Sequence, residues 1–137
     1  MTATYVDHYA GARRQDWRTP RAMFDALQAE YGFDLDGAAD AESGLLLRRS
    51  TEDMPEDWVG RRVYCNPPWA NIAPFVELAA QAELAVLLVP ARVNAKWFHR
   101  ALDLGAQPRF FVGKPRFDGG KWNSPVDCLL LVFGTSA

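Results

Sequence analysis

The chain reads as an α/β protein with a mostly parallel sheet. Three observations point there: short apolar strand-like runs, helix-like runs set between them, and turn residues at the junctions. Its 137 residues suggest one folded unit, at 49% hydrophobic and 23% charged.

Residues 1–16 are polar and weakly patterned and read as a loose arm. Thr19-Pro20 opens a helix, since threonine is a good N-cap and proline suits the first helical turn. Met23, Phe24, Leu27 and Tyr31 mark one apolar face, and Gly32 ends the helix. Phe33-Asp34-Leu35-Asp36 reads as a short strand ending at an acid, followed by the small-residue turn Gly37-Ala38-Ala39. Residues 40–60 carry no regular pattern, being broken by Pro55 and Gly60.

Arg62–Cys65 is a strand, followed by the turn Asn66-Pro67-Pro68-Trp69. A helix is expected from Ile72 to Ala82, with Phe75, Val76 and Ala79 inward. Leu84–Val89 is apolar throughout, as suits a strand covered on both faces, and ends at Pro90. Lys96–Leu104 is helical, closed by Gly105. Pro108–Val112 and Asp127–Phe133 have no helix between them, so they are expected to form an antiparallel hairpin at one side of the sheet.

In such a sheet ligands gather beyond the carboxyl ends of the strands, where Asp36, Asn66 and Pro90 would all lie. The net charge of −2 does not announce a nucleic-acid binder, although arginines and lysines cluster locally. No run reaches the length of a membrane span, and no signal-peptide pattern opens the chain, so a cytoplasmic setting is the default expectation. Cys65 and Cys128 sit in apolar runs and read as small buried thiols. With two histidines at no close spacing, no structural metal site is expected.

The turn at 66–69 is either an ordinary turn or a seat of chemistry, and its place after a strand and before a helix suits the second. An exocyclic base amine is a poor nucleophile because its lone pair is delocalised into the ring. Two acceptors drawing on its N–H groups pull it toward a tetrahedral shape. The Asn66 side-chain oxygen is one acceptor, and the Pro67 carbonyl is the natural second. Successive prolines hold those acceptors with little reorganisation, and Trp69 would stack on the base. Methyl transfer from a sulfonium donor to such an amine needs positioning more than a strong base. Asp36 either caps a turn or serves a cofactor pocket. Thr19-Pro20 is either a helix start alone or a helix N-terminus receiving a carboxylate.

Five segments in order resemble the short phage-type DNA adenine methyltransferases, the Dam-like family. They are Asp16–Pro20, Gly32–Ala39, Val63–Trp69, Leu87–Arg92 with Lys96–His99, and Gly113–Phe117. The resemblance covers roughly residues 16 to 133. It implies a compact Rossmann-like domain over residues 17–137, S-adenosylmethionine as donor, and the N6 amine of a flipped adenine in DNA as acceptor. It implies that Asn66, Pro67, Pro68 and Trp69 hold the base, and that Thr19, Pro20, Asp36, Ala38, Ala39 and Asp53 line the cofactor site. Arg92, Lys96 and His99 would meet DNA or support the site, and Phe117 would pack on the base or in the core. Only about thirty residues separate Asp36 from Asn66, against on the order of sixty for two full strand–helix units, so an element between 40 and 60 is expected to be missing or shrunken. Two other readings stay open: a methyltransferase acting on RNA or a protein amide, and a non-catalytic nucleic-acid or partner-binding module.

Overall fold

A computed structural model describes residues 19–38, 48–49, 58–111, 116–117, 122–123 and 127–134. The expected N-terminal arm, Ala39 and Asp53 lie outside them. The helices are α1 (Arg21–Tyr31), α2 (Ala73–Ala79) and α3 (Lys96–Asp103). The strands are β1 (Leu35–Asp36), β2 (Arg48–Arg49), β3 (Arg62–Cys65), β4 (Leu84–Pro90), β5 (Gln107–Phe110), β6 (Arg116–Phe117), β7 (Trp122–Asn123) and β8 (Cys128–Gly134).

One open sheet carries the order β2-β1-β3-β4-β8-β5. The strands from β2 to β4 pair in parallel, whereas β8 runs antiparallel to both of its neighbours. The sheet is therefore mixed, which corrects the expectation of a mostly parallel one. The seven-residue ladder of β4 with β8 and the four-residue ladder of β5 with β8 outweigh the short parallel ladders. The reason is connectivity. After β5 the chain makes the separate hairpin β6–β7 and returns as β8 into the gap beside β4. The expected antiparallel pairing of the last two main strands is present, with β5 at the sheet edge.

Helix α1 buries Phe24, Leu27 and Tyr31, as its periodicity required. Gly32 ends it in the left-handed conformation at φ 66°, with its N–H on the Gln28 carbonyl at 2.9 Å. The Gln28 side chain then turns round to Phe33. Its amide oxygen accepts the Phe33 N–H, and its amide nitrogen donates to the Phe33 carbonyl at 3.1 Å. This local pairing occupies the backbone where the longer strand was expected, and β1 begins only at Leu35. Phe24, Phe33 and Tyr64 form one aromatic cluster, with Phe24 edge-on to Tyr64 at 5.5 Å.

On the opposite face Trp58 meets Phe75 of α2, and α2 packs beside α3. Every residue of β4 is buried, which matches its unbroken apolar sequence. Both cysteines are buried and outside any disulfide. Among the described residues no helix is long and apolar enough to cross a membrane.

Candidate functional site

The connection from β1 to β2 runs to one side of β1, while β3 and β4 follow on the other. The strand order thus reverses between β1 and β3. A crevice opens at such a reversal, outside the carboxyl ends of the two strands. Asp36 ends one of these strands and Asn66 follows the end of the other. Their backbones are locked in register: Asp36 lies opposite Tyr64, and the Gly37 N–H donates to the Tyr64 carbonyl at 2.8 Å.

Asp36 is 3% exposed, and among the described residues it is the one charged side chain in the buried set. Burial of a carboxylate is costly without compensation. One contact is local, with the Ala38 N–H directed at Asp36 Oδ1 over 3.4 Å, so the residue does shape its own turn. Gly37 has a packing reason. A Cβ there would run into the indole of Trp58 and come within 2.9 Å of Val63 Cγ1.

Asn66 is half-buried, and Pro67, Pro68 and Trp69 are buried. The Pro68 carbonyl accepts the Asn71 N–H at 2.8 Å and so is used in closing the turn. The Trp69 indole N–H donates to the Leu88 carbonyl at 3.2 Å, tying the ring to β4. Residues 66–69 are thereby set between β3 and β4 by main-chain geometry and one buried side-chain bond.

Thr19 does not cap α1. Pro20 occupies the cap position without a side-chain bond, and its carbonyl takes the first helical N–H, from Phe24, at 3.0 Å. The Thr19 hydroxyl instead meets the Tyr64 hydroxyl at 2.6 Å. The segment before α1 is therefore fixed to β3, beside the strand reversal.

The basic candidates separate. Arg92 lies in the turn after β4, where the Ala91 N–H bonds the Asp127 carbonyl at 2.8 Å, and so stands apart from α3. Lys96 and His99 are exposed on α3. Arg100, next on the same helix, is held by both Glu77 carboxylate oxygens, at 2.8 and 3.1 Å. That hydrogen-bonded guanidinium pulls the Glu77 carboxyl below its usual range. The backbone of Phe117 lies in β6 opposite Trp122, and its side chain lies outside what is described. The β6–β7 hairpin follows β5, whose last residue, Phe110, is 72% exposed.

One group of interest was missed in the sequence. Tyr64 read only as strand filler, yet its hydroxyl is the partner of Thr19 and burial pushes its phenol far above the ordinary range. Its place two residues before Asn66, pointing away from the Val63 face, was the available signal.

These features define a class: an open α/β sheet with a strand reversal, a buried acid on one side of it and a rigid Asn-Pro-Pro-Trp turn on the other. The model of the DNA N-6-adenine-methyltransferase (Dam) family matches residues 7–126, and the chain belongs to that family. No curated protein shows a significant match to the chain.

Proposed function

We propose that the chain transfers a methyl group from S-adenosylmethionine to the N6 amine of adenine in DNA, on a compact Rossmann-like methyltransferase scaffold. Family membership supports the reaction type. The observation that carries the assignment of residues is the placement of buried Asp36 and of Asn66 on the two sides of the strand reversal.

The residues on the β1 side suit the donor. Asp36 offers a desolvated carboxylate to a cationic amino acid group, and Thr19 offers a hydroxyl next to a helix start. Pro20, Ala38, Ala39 and Asp53 complete the proposed cofactor lining. The bound cofactor supplies an electrophilic methyl on a sulfonium. The remaining work is positioning by this chain's own groups.

On the β3 side the Asn66 side-chain oxygen and the Pro67 carbonyl accept the two N–H groups of the amine. With the Pro68 carbonyl used in its own turn, Pro67 is the better second acceptor. Trp69 is buried and held by its N–H on Leu88, so a purine stacking on it would meet a ring already ordered. A base in a duplex is out of reach of such a turn, so the adenine is flipped out. Arg92, Lys96 and His99 lie after β4 and on α3, where contact with the flanking phosphates is proposed for them. Phe117 is proposed to close on the base from the hairpin.

The test is transfer of labelled methyl groups to DNA, RNA and protein in parallel, with Asn66→Ala beside the unmutated chain. Label in DNA adenine, cut by about 100-fold or more in the variant, is expected. Label confined to RNA or protein would move the substrate assignment. Unchanged turnover in Asn66→Ala would remove the proposed role of the turn.

A further inference from the structure

Tyr64 touches all three parts of the proposed site through different groups. Its chain continues through Cys65 into Asn66. Its carbonyl receives the Gly37 N–H at 2.8 Å, beside Asp36. Its hydroxyl lies 2.6 Å from the Thr19 hydroxyl, across 45 residues of sequence. The ring between these ends is fully buried and packs against both Phe24 and Phe33. A phenol is rigid from Cβ to oxygen, so the distance from β3 to Thr19 is set by one inflexible strut.

We infer that Tyr64 is a positioning residue, which holds Thr19 in place for the cofactor at a fixed offset from the amine-binding turn. This rests on the cofactor reading above. Methyl transfer has a narrow geometric requirement, because donor carbon and acceptor nitrogen must be in line at short range. A threonine in the segment before a helix, with no cap bond of its own, would otherwise choose among rotamers. The bond to Tyr64 selects one. Burial keeps the phenol protonated, so this selection persists throughout the working pH range.

The experiment compares Tyr64→Phe, Thr19→Val, Thr19→Ser and the double variant Tyr64→Phe/Thr19→Val. S-adenosylmethionine affinity is read by calorimetry, KM for DNA and kcat by methyl incorporation, and folding by thermal midpoint. Tyr64→Phe keeps the ring and removes one oxygen. It and Thr19→Val should each weaken S-adenosylmethionine binding roughly three- to ten-fold, the worth of a neutral hydrogen bond. Because Thr19 is itself given a cofactor contact, the double variant should be no worse than Thr19→Val alone. Thr19→Ser, which keeps the hydroxyl, should bind nearly as the unmutated chain does, and KM for DNA should not move.

Undiminished affinity in Tyr64→Phe overturns the inference, as does a lowered thermal midpoint with affinity unchanged. Additive losses in the double variant also overturn it. If Tyr64→Phe does not fold, undiminished affinity in Thr19→Val still overturns the inference. Failure of the unmutated chain to bind S-adenosylmethionine is a separate result, which removes the cofactor reading and this inference with it.

Discussion

The Arg62 guanidinium, at the start of β3, donates to the Tyr31 carbonyl at the end of α1 over 2.6 Å. The same side chain reaches the Gly32 carbonyl at 3.3 Å and Glu83 Oε2 at 2.9 Å. A cation at a helix carboxyl terminus satisfies carbonyls that lack partners and opposes the helix dipole. Arg62→Met keeps the aliphatic stem and removes these bonds. It should lower stability by about 2 kcal/mol, within the range for hydrogen bonds to charged groups. Glu83→Gln should change it by less than about 0.5 kcal/mol, because Glu83 is an exposed partner. Urea unfolding measures both, and equal effects would show that the helix terminus is not what Arg62 serves.

Gly37→Ala tests the packing at the proposed cofactor turn. Its new methyl must displace the Trp58 indole or move β1 away from β3. Overpacking of this kind costs about 1–3 kcal/mol. Trp58 is fully buried, so its displacement would shift its share of the emission from the chain's five tryptophans. A variant with unchanged stability and an unchanged emission maximum would contradict the close approach.

The two roles given to Trp69 separate under substitution. Trp69→Phe keeps an aromatic face but leaves the Leu88 carbonyl without the indole N–H, at a cost of about 1–3 kcal/mol. Methyl transfer should stay within a few-fold of the unmutated rate, as about half a logarithm corresponds to well under 1 kcal/mol. Trp69→Ala should lose transfer and destabilise by about 3–5 kcal/mol. If Phe is as inactive as Ala while folding normally, stacking is not the function of this side chain.

Glu77 and Arg100 join α2 to α3 at the surface. Because Arg100 lowers the carboxyl's proton affinity in the folded state, the pair's contribution is present at neutral pH. It fades as acid carries the solution below the ordinary carboxylate range. Arg100→Gln removes that dependence, so its acid-side loss of stability should be shallower. Urea midpoints from about pH 7 down to about pH 3 test the sign. A steeper acid limb in the variant would be the contrary result.

Local signals made much of this fold legible. Gly32, the apolar spacing of α1, the β3 boundaries and the unbroken run of β4 each act within a few residues, and the structure follows them. The strand reversal was not legible, because it depends on β2, two arginines with no alternating pattern, which the pairing with β1 defines. The mixed character of the sheet was half legible. The absence of a helix before β8 implied an antiparallel partner, but not that β8 would insert between β4 and β5. At the site, the motif at 66–69 was visible by composition. The use of Thr19 was misread, because a hydroxyl before a helix has a local partner to offer and here takes one from far along the chain.

The late arrival of β8 has a consequence for biosynthesis. Until Cys128–Gly134 has left the ribosome, β4 carries an uncovered run of backbone donors and acceptors flanked by aliphatic side chains, and β5 has no strand to join. Such an edge invites association with other nascent chains. The closing strand therefore works as a clasp. Its Gly134, at φ 84° and too close to the Glu83 carbonyl to admit a Cβ, is the point where the clasp shuts against the start of β4.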